Sequence, residues 1–478
     1  MAWSQAALDM SNAGSTPLWT SGEIAAATRG RLFGDAFEAT GVGIDSRVCE
    51  SGELFIALGG ARDGHDFIAS ARSRGAVAAL AERPAEEPCV VVKDTLEGLR
   101  RLGEAARLRA RMARRGAVTG SVGKTSVTQL VRAGLDLAGA AHGSVKSYNN
   151  HIGVPLTLAR MPAATRRAIF EIGMNHADEI SPLSLLVRPH VVAITTVEAV
   201  HVEAFADGET GVARAKAEIF DGLEPGGVAI LNADNRWFEF LKAEARQRGA
   251  KVRAFGRAKG AEAQLIRFAP APGGASVEAR IDDKRVEFPI RQSAAHWGPM
   301  SLCALLMMRA LDVDLEVGIT ALAAFEPLQG RGATRRLRGP WGPYLLVDES
   351  YNASPVSVAA ALMALGVRAT AGRRIAALTD MLELGSESAE RHASLAATVA
   401  TANVDLVFCA GPLMRTLHDA LPPDRRGGWA ATADEVFDLL SAALGPGDVV
   451  MVKGSRDSKA TVLVDRLMAL DAVAREGR

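Results

Sequence analysis

The sequence predicts an α/β protein built from three domains, and three observations support this prediction. The chain has 478 residues, which is too long for one ordinary hydrophobic core. Short apolar segments alternate with helical segments along most of its length, as they do in parallel sheets covered by helices. A strand, a glycine-rich turn and a helix follow one another at 116–130. The predicted domains are 17–112, 113–328 and 329–478.

Composition argues for a globular protein of a reducing compartment. The chain has 55 basic and 55 acidic side chains without a long run of either sign, which is unlike a nucleic-acid-binding protein. Four cysteines lie far apart, without the spacing of a zinc knuckle or disulfide scaffold. The N-terminus lacks a secretory pattern, and no apolar run approaches the ~20 residues that span a bilayer. We expect a soluble, cytoplasmic monomer without a nucleic-acid partner or a membrane span.

The first domain reads as a self-contained α/β module. Strands are predicted at 41–44, 54–58, 76–81 and 89–92, and helices at 68–74 and 96–112. Two polar clusters stand out, Asp45-Ser46-Arg47 and Gly64-His65-Asp66. Hydroxyl, guanidinium and turn amides together could hold a diphosphate or a uracil edge. Each cluster taken alone is more typical of a surface turn, because Asp, Ser and Gly are ordinary turn residues.

The stretch at 116–130 predicts a phosphate-binding loop. Its glycines let backbone N–H groups point at phosphate oxygens, the helix N-terminus adds partial positive charge, Lys124 adds a full charge, and the Thr125 hydroxyl suits Mg2+. Val118 stands where the usual pattern has glycine, and a glycine turn that binds nothing is the alternative. The loop nevertheless favours ATP or GTP. Its predicted nucleotide-binding residues are Thr119, Gly120, Ser121, Val122, Gly123, Lys124, Thr125 and Ser126.

Polar residues at the predicted strand ends of the second domain form a candidate site. Strands are predicted at 168–172, 191–196 and 228–232 after the strand that ends near Val118, and ligands bind beyond the carboxyl ends of such strands. Glu171 could reach Mg2+ as a Walker-B-like acid. His201, Lys216 and Asn232 are further candidates, although a loop histidine, a helical lysine and a turn asparagine are each more often simply polar.

The third domain reads as a second parallel α/β layer with Rossmann-like topology. A Pro/Gly-rich hinge at 325–333 leads into strands predicted at 344–347, 375–378, 404–410 and 449–452. No G-x-G-x-x-G segment is present, so a dinucleotide is not indicated. Polar groups again follow the strands at Asp348, Asp380 and 453–456. Arg456 could clamp a carboxylate, or it could be an exposed basic turn residue.

Several segments in the same order resemble the Mur ligase family across nearly the whole chain. The phosphate loop and the AKAEIF segment at 215–220 are shared by Mur ligases generally. The segments YNNHIGVPLT at 148–157, DESYNASP at 348–355 and DMLELG at 380–385 point to the MurF type. The remaining matching segments are IDSR at 44–47, EIGMNH at 171–176, LNADN at 231–235 and KGSR at 453–456.

The resemblance implies an ATP- and Mg2+-dependent amide ligase that adds D-alanyl-D-alanine to UDP-N-acetylmuramoyl-tripeptide (UDP-MurNAc-tripeptide) through an acyl phosphate. The first domain would hold the UDP end, the second ATP and Mg2+, and the third would close over both. The implied metal ligands are Thr125, Glu171, His201 and a carbamylated Lys216. The implied catalytic residues are Lys124, Lys216, His201 and Arg331. Asn232, Arg331 and Asp348 would contact the nucleotide. The implied substrate-binding residues are Asp45, Ser46, Arg47, Tyr351, Asn352, Lys453 and Arg456.

At four positions the sequence differs from the residue that is usual in the Mur ligase family. Thr196, Glu349, Ser354 and Met300 stand where the family usually has Asn, Asp, Asn and Asn. In the family, the residue at the position of Met300 would contact the adenine or ribose of the nucleotide, so this contact is the one that the change affects. The implied catalytic residues are all present.

Two other functions are alternatives. A folylpolyglutamate synthase would share the phosphate loop and the carbamylated lysine, but it has no reason to carry the UDP-type module or the DMLELG segment. A P-loop switch protein would bind nucleotide without joining two substrates, but no N-K-x-D segment that reads guanine is present. The substrate dependence of phosphate release separates the three functions. The sequence leaves open which amino acid is third in the tripeptide.

Overall fold

The computed structural model describes residues 17–144, 147–199, 202–271 and 273–476. Its first module contains β1 (Trp19–Thr20), α1 (Ser21–Thr28), β2 (Arg31–Phe33), β3 (Glu38–Ala39), β4 (Gly41–Gly43), β5 (Glu53–Ile56), α2 (Ile68–Ser73), β6 (Ala78–Ala81), β7 (Cys89–Val91) and α3 (Thr95–Arg109).

A five-stranded sheet in the order β2-β7-β6-β5-β4 forms the first module, with only β2 antiparallel to its neighbour. The short strands β1 and β3 pair separately. The side chain of Asp94 caps α3 by accepting a hydrogen bond from the N–H of Glu97, which satisfies a donor at the helix start. The four predicted strands and two predicted helices are confirmed, although α3 ends at Arg109 rather than at Met112.

The central module has more strands than the sequence predicts. It contains β8 (Arg114–Thr119), α4 (Lys124–Ala138), β9 (Ala141–Gly143), α5 (Gly153–Ala159), β10 (Arg167–Glu171), α6 (Ile180–Val187), β11 (Val191–Ile194), α7 (Glu209–Ala217), β12 (Val228–Asn232), α8 (Phe238–Gln247), β13 (Lys251–Gly256), β14 (Ala263–Ala271), β15 (Gly274–Ile281), β16 (Lys284–Ile290), α9 (Trp297–Ala310) and α10 (Leu315–Ala324).

These strands form one nine-stranded sheet in the order β16-β15-β14-β13-β12-β11-β8-β10-β9. All neighbours from β14 to β9 in this order pair in parallel, whereas β14, β15 and β16 pair antiparallel as two successive hairpins. Strand β8 therefore lies between β10 and β11, and the phosphate loop emerges at the carboxyl ends of all three. The parallel sheet that was expected from the alternation of strands and helices is confirmed. The polar residues that follow its strands therefore lie at the carboxyl edge of the sheet.

The third module contains β17 (Ala333–Gly339), β18 (Gly342–Glu349), α11 (Pro355–Gly366), β19 (Arg374–Thr379), α12 (Ser388–Ala393), α13 (Leu395–Thr401), β20 (Leu406–Ala410), α14 (Met414–Ala420), β21 (Arg426–Ala430), α15 (Ala433–Ala443), β22 (Val449–Lys453) and α16 (Ala460–Glu476). Its sheet has the order β17-β18-β22-β19-β20-β21, in which only β17 is antiparallel. The predicted Rossmann-like layer is confirmed.

The first two modules share one hydrophobic core. Helix α3 packs against α5, and the side chain of Trp19 is buried between the modules, where its indole N–H donates to the carbonyl of Ala159 at 2.8 Å. The guanidinium of Arg109 lies 3.8 Å from the Trp19 ring centre, a cation–π contact. These contacts fix the first module on the face of the central sheet.

The third module touches the central one through side chains on loops. Arg368 donates to the Ser293 hydroxyl at 3.3 Å, and the N–H of Gly385 donates to the carboxylate of Glu203. In the part of the chain that the structure describes, no helix combines the length and apolar character needed to cross a bilayer.

Candidate active site

The phosphate loop joins the end of β8 to the start of α4. Gly120 and Gly123 have φ angles of 145° and 89°, which side chains rarely adopt. A Cβ atom at Gly120 would lie 2.0 Å from the hydroxyl oxygen of Thr195, and one at Gly123 would lie 2.5 Å from the methyl of Met300. The Thr195 hydroxyl donates to the carbonyl of Val122 at 2.6 Å, which ties the loop to the end of β11. Both glycines are therefore required by the loop geometry.

Lys124 begins α4 and turns its side chain back over the loop. Its ammonium donates to the carbonyls of Gly120 at 2.6 Å and Ser121 at 3.4 Å. Burial lowers the pKa of Lys124, the carboxylate of Glu171 raises it, and the guanidinium of Arg331 lowers it. Two cations thus face the same loop, and an anion between them would relieve their mutual repulsion.

Glu171, the last residue of β10, lies under the loop with 1% of its surface exposed. Its Oε1 accepts hydrogen bonds from the Ser147 hydroxyl at 2.8 Å and the Asn149 amide at 2.7 Å. Ser147 in turn lies 3.2 Å from the Thr125 hydroxyl. The other oxygen, Oε2, is buried without a hydrogen-bond partner among the described residues. An orphaned carboxylate oxygen near a threonine hydroxyl is a donor set that a hard cation prefers.

The residues that the structure describes do not by themselves form a metal cage. His201 lies outside the described residues. Within residues 17–144, 147–199, 202–271 and 273–476, no group of three or more His, Cys, Asp or Glu side chains is arranged to hold a metal. A cation bound at Glu171 would therefore rely on hydroxyl, phosphate and water oxygens as well, which is the usual coordination of Mg2+.

Lys216 lies in α7 with only 3% of its surface exposed. Burial lowers its pKa well below the ordinary value, Lys124 lowers it further, and Glu218 raises it. The carboxylate of Glu218 is itself held by the N–H groups of Asp178, Ile180 and Ser181 at 2.8 to 3.1 Å. Burial and the nearby Lys124 ammonium therefore both disfavour the protonated form of this amine beside the phosphate loop.

Arg331 reaches the phosphate loop from the turn that precedes β17. Its Nη2 donates to the Thr125 hydroxyl at 3.0 Å, and its guanidinium lies 3.9 Å from the ring centre of Tyr351. Asp348 holds the turn, because its Oδ2 accepts from the N–H of Gly330 at 2.8 Å. The hinge thereby brings residues from two modules, 206 positions apart in sequence, into hydrogen-bonding contact.

Asp348, Asn352 and Lys453 form the wall of the third module beside Arg331. The Oδ1 of Asp348 accepts from the N–H and hydroxyl of Ser350, so both carboxylate oxygens bond within the module. The Lys453 ammonium donates to the carbonyl of Asn352 at 2.8 Å and lies 3.7 Å from the carboxylate of Glu349. Burial lowers the pKa of Lys453 and raises that of Glu349.

Other predicted site residues lie away from the phosphate loop contacts. The Arg47 side chain is 84% exposed and pairs with the Asp45 carboxylate at 2.7 and 2.9 Å, and Ser46 beside them is buried. Arg456 is exposed at the end of the third sheet. Asn232 donates to the carbonyl of Thr195 at 3.2 Å, which places it at the carboxyl edge of the sheet two strands from the loop.

A cleft lies between the central and third modules beside this site. Trp297 and Gln292 line it on the central side, and Glu349, Leu365 and Arg368 line it on the other. The ring nitrogen Nδ1 of neighbouring His296 is buried without a hydrogen-bond partner in the described chain. The sequence does not predict this cleft, because its walls come from segments far apart in the chain.

Comparison with known proteins assigns the family. Three family models match: "Mur ligase family, catalytic domain" at residues 38–115, "Mur ligase middle domain" at 118–308, and "Mur ligase, glutamate ligase domain" at 336–456. The UDP-N-acetylmuramoyl-tripeptide--D-alanyl-D-alanine ligase of Escherichia coli (strain K12) is 32% identical over 436 residues, which are 90% of this chain and 94% of that protein. The chain belongs to the Mur ligase family. The predicted family and fold class are confirmed.

Further relatives place the chain with the MurF type of Mur ligase. The enzyme of the same name from Bacillus subtilis (strain 168) is 30% identical, over 93% of this chain and 97% of its own length. A crystal structure of MurF from Acinetobacter baumannii superposes with a TM-score of 0.82 at 26% identity, covering 95% of this chain and 99% of that one. MurF from Thermotoga maritima, in complex with ADP, shares the fold with a TM-score of 0.74 at 22% identity. The chain is a ligase of this type.

The Mur ligase site contains residues to which sequence reasoning gave no role. Ser147 and Asn149 orient Glu171, and the only signal was the YNNHIG stretch that includes Asn149. The departures from the family pattern also have local partners. Thr196 accepts from the Asn235 amide and donates to Glu198, while Ser354 caps α11. Met300 packs against Gly123, so a thioether covers the loop at that point.

Proposed function

We propose that this Mur ligase joins D-alanyl-D-alanine to UDP-MurNAc-tripeptide with ATP, giving UDP-MurNAc-pentapeptide, ADP and phosphate. The convergence of Lys124, Arg331 and the orphaned Glu171 oxygen on one phosphate loop carries the proposal. The shared name of the relatives from Escherichia coli and Bacillus subtilis supports the choice of substrates.

The chemistry explains why such a loop is needed. A carboxylate is a poor electrophile, so the terminal carboxylate of the tripeptide takes the terminal phosphoryl group of ATP and becomes an acyl phosphate. Lys124 and Arg331 offset negative charge that spreads over the transferred group. The free amine of the dipeptide then attacks the acyl carbon, and phosphate leaves as the amide forms. Contact between the modules limits the access of water, which would hydrolyse the acyl phosphate.

The residues present suit a magnesium ion beside the loop. The Thr125 hydroxyl and the free Oε2 of Glu171 would hold it, with His201 as a further proposed ligand. Bound there, Mg2+ would neutralise charge on the phosphates. Arg331, Thr125, Ser147 and Glu171 form a continuous series of hydrogen bonds, which orients both the hydroxyl and the carboxylate toward such an ion.

We propose that Lys216 is carbamylated and provides oxygen ligands to a second Mg2+. The unprotonated amine would form a bond to the carbon of carbon dioxide and lose a proton, which leaves an anionic carbamate at this buried position. Burial beside Lys124 supports this assignment, because an anion at position 216 would be stabilised by the neighbouring ammonium.

The other predicted substrate contacts remain proposals. Asp45, Ser46 and Arg47 would contact the UDP end, while Tyr351, Asn352, Lys453 and Arg456 would contact the tripeptide or the incoming dipeptide. Asn232 and Asp348 would contact the nucleotide. We further propose that the enzyme acts as a monomer in the cytoplasm, where UDP-linked precursors and ATP are found.

Phosphate release by the purified chain tests the proposal. Release should require ATP, UDP-MurNAc-tripeptide and D-alanyl-D-alanine together, and Lys124→Ala should lower it by about a hundredfold or more because the phosphates lose a full charge. Lys242→Ala, which removes a partly exposed lysine paired with Glu239, is the matched control. Release that depends instead on folate and glutamate, or on neither substrate pair, would refute the proposal. A folylpolyglutamate synthase from Mycobacterium tuberculosis shares the fold, at 16% identity and a TM-score of 0.62.

A further inference from the structure

Four large apolar side chains are exposed around the amino ends of the central strands. Leu108, Met112, Leu137 and Leu185 have 57%, 72%, 58% and 48% of their surfaces exposed. They come from the end of α3, the turn before β8, the end of α4, and α6. Exposed apolar side chains that gather on one face mark an interaction surface more often than scattered ones do.

Backbone contacts bring these segments together. The N–H of Arg114, two residues after Met112, donates to the carbonyl of Arg166 at 2.9 Å. The N–H of Arg166 donates at 2.7 Å to the carbonyl of Ala140, three residues after Leu137. Helix α3 packs against α6, which carries Leu185. We call the surface formed by Leu108, Arg111, Met112, Leu137, Arg166 and Leu185 the basal edge.

The basal edge is positively charged, although the chain as a whole is balanced at 55 basic and 55 acidic residues. Its acidic neighbours are already paired with arginines: Glu104 with Arg107, Asp136 with Arg132, Glu224 with Arg188, and Asp312 with Arg114. Arg111 and Arg166 are exposed and have no carboxylate within 4.0 Å among the described residues. Uncompensated cations therefore lie between the apolar side chains.

We propose that the basal edge docks on an anionic lipid surface. Leucine and methionine side chains would enter the headgroup layer, while the long stems of Arg111 and Arg166 let their guanidinium groups reach lipid phosphates. A second copy of the chain fits this face poorly, because a two-fold contact would oppose like charges. Strand β8 begins at this edge and ends at the phosphate loop, about 20 Å away by its length. The candidate active site therefore stays open to water when the edge is docked.

Sedimentation of the full chain with lipid vesicles tests the docking. We expect binding to phosphatidylcholine vesicles that contain phosphatidylglycerol, little binding to pure phosphatidylcholine, and weaker binding at high salt. The double variant Arg111→Glu/Arg166→Glu should lower the partition coefficient by about 25-fold or more, since each arginine contributes about fivefold. Met112→Asp should lower it separately by removing the most exposed apolar side chain.

The control changes the same number of charges at the opposite edge. Arg257→Glu/Lys259→Glu alters two exposed residues that follow β13 at its carboxyl end, and this variant should keep vesicle binding. All variants should keep vesicle-free ligase turnover, which shows that they are folded. The proposal is overturned if the chain ignores phosphatidylglycerol, if the control loses as much binding as the basal variant, or if Met112→Asp instead dissolves a dimer seen by sedimentation velocity.

Discussion

At the residue scale, the candidate site depends on polar atoms that are buried before any substrate arrives. The Oε2 atom of Glu171 has no hydrogen-bond partner in the described residues, and the Lys216 amine is almost completely buried. Leaving a buried carboxylate oxygen without a partner and burying a lysine amine are both costly, so each is a place where a ligand or a modification would add stabilisation. The sequence identified both residues as candidates from their position at strand ends and in a short motif, but it could not show their burial.

Replacing Lys216 tests the proposed carbamate. Lys216→Ala should lose most ligase activity, and added formate or acetate should restore part of it, because a small carboxylate can occupy the place of the carbamate oxygens. Phosphate release with and without the acid measures the rescue. Lys251→Ala, at an exposed position, should neither lose activity nor respond to the acid. Full activity of Lys216→Ala without acid would rule out the carbamate.

At the element scale, the turn before β17 decides where Arg331 lies. Asp348 ends the buried part of β18 and binds the N–H of Gly330 with one oxygen and Ser350 with the other. A buried carboxylate thus connects two turns, one of which carries Arg331 and the other of which leads to Tyr351. Arginine and tyrosine stack only if both turns hold their places.

Asp348→Ala should therefore affect both stability and turnover. The buried N–H groups of Gly330 and Ser350 would lose their acceptors, which costs roughly 3 kcal/mol. Calorimetric unfolding should show the loss, and phosphate release should fall because Arg331 is no longer positioned. Asp434→Ala, at an exposed ion pair with Arg466, should change neither. A stable Asp348→Ala protein with slow turnover would mean that Asp348 acts on the nucleotide rather than on the turn.

The sequence predicted most elements of the three sheets but missed those with weak patterns. Strand β21 reads RGGWA and β17 reads ATRRLRG, and neither contains an apolar run. The polar segment at 112–116 also lacks a strand pattern, although β8 begins within it at Arg114. Arg115 is 5% exposed, and its guanidinium donates to the carbonyls of Ala113, Val187 and Arg188. An arginine can be buried when carbonyl groups accept its hydrogen bonds. The sequence does not show those distant acceptors, so the segment around Arg115 resembles a polar linker.

At the scale of the whole molecule, the site exists only because two modules meet. The hydrogen bond between Arg331 and Thr125 and the bond from Gly385 to Glu203 both join the third module to the central one. Neither contact has a signature in the sequence, since each depends on the relative placement of the modules. Motifs could therefore nominate individual candidate residues, whereas the cleft between the modules could not be predicted from the sequence.

Acid should destabilise the fold through partly buried histidines. Burial lowers the pKa of His142, His190 and His296 to about 4. In the unfolded chain these three histidines take up protons below about pH 6.5, whereas in the folded chain they do so only near pH 4. The free energy of unfolding therefore falls as the pH drops from about 6.5 to about 4. For His142 the loss at about pH 5 is roughly 2 kcal/mol.

Urea unfolding at about pH 7.5 and about pH 5 measures this effect. His142→Gln cannot titrate and keeps a donor for the carbonyl of Thr157, so its stability should fall less than that of the parent protein between the two pH values. His418→Gln, at a partly exposed helix position beside Asp419, is the matched control. An equal fall in the parent and His142→Gln would assign the acid sensitivity to other groups.

The transfer of oxygen from substrate to phosphate tests the central claim most directly. If the tripeptide carboxylate attacks the terminal phosphoryl group of ATP at the Lys124 loop, one carboxylate oxygen leaves with the phosphate when the amide forms. Turnover of UDP-MurNAc-tripeptide labelled with oxygen-18 in its terminal carboxylate should give inorganic phosphate that carries one labelled oxygen, detected by mass spectrometry. Unlabelled phosphate formed together with the pentapeptide would contradict activation of the carboxylate by phosphoryl transfer.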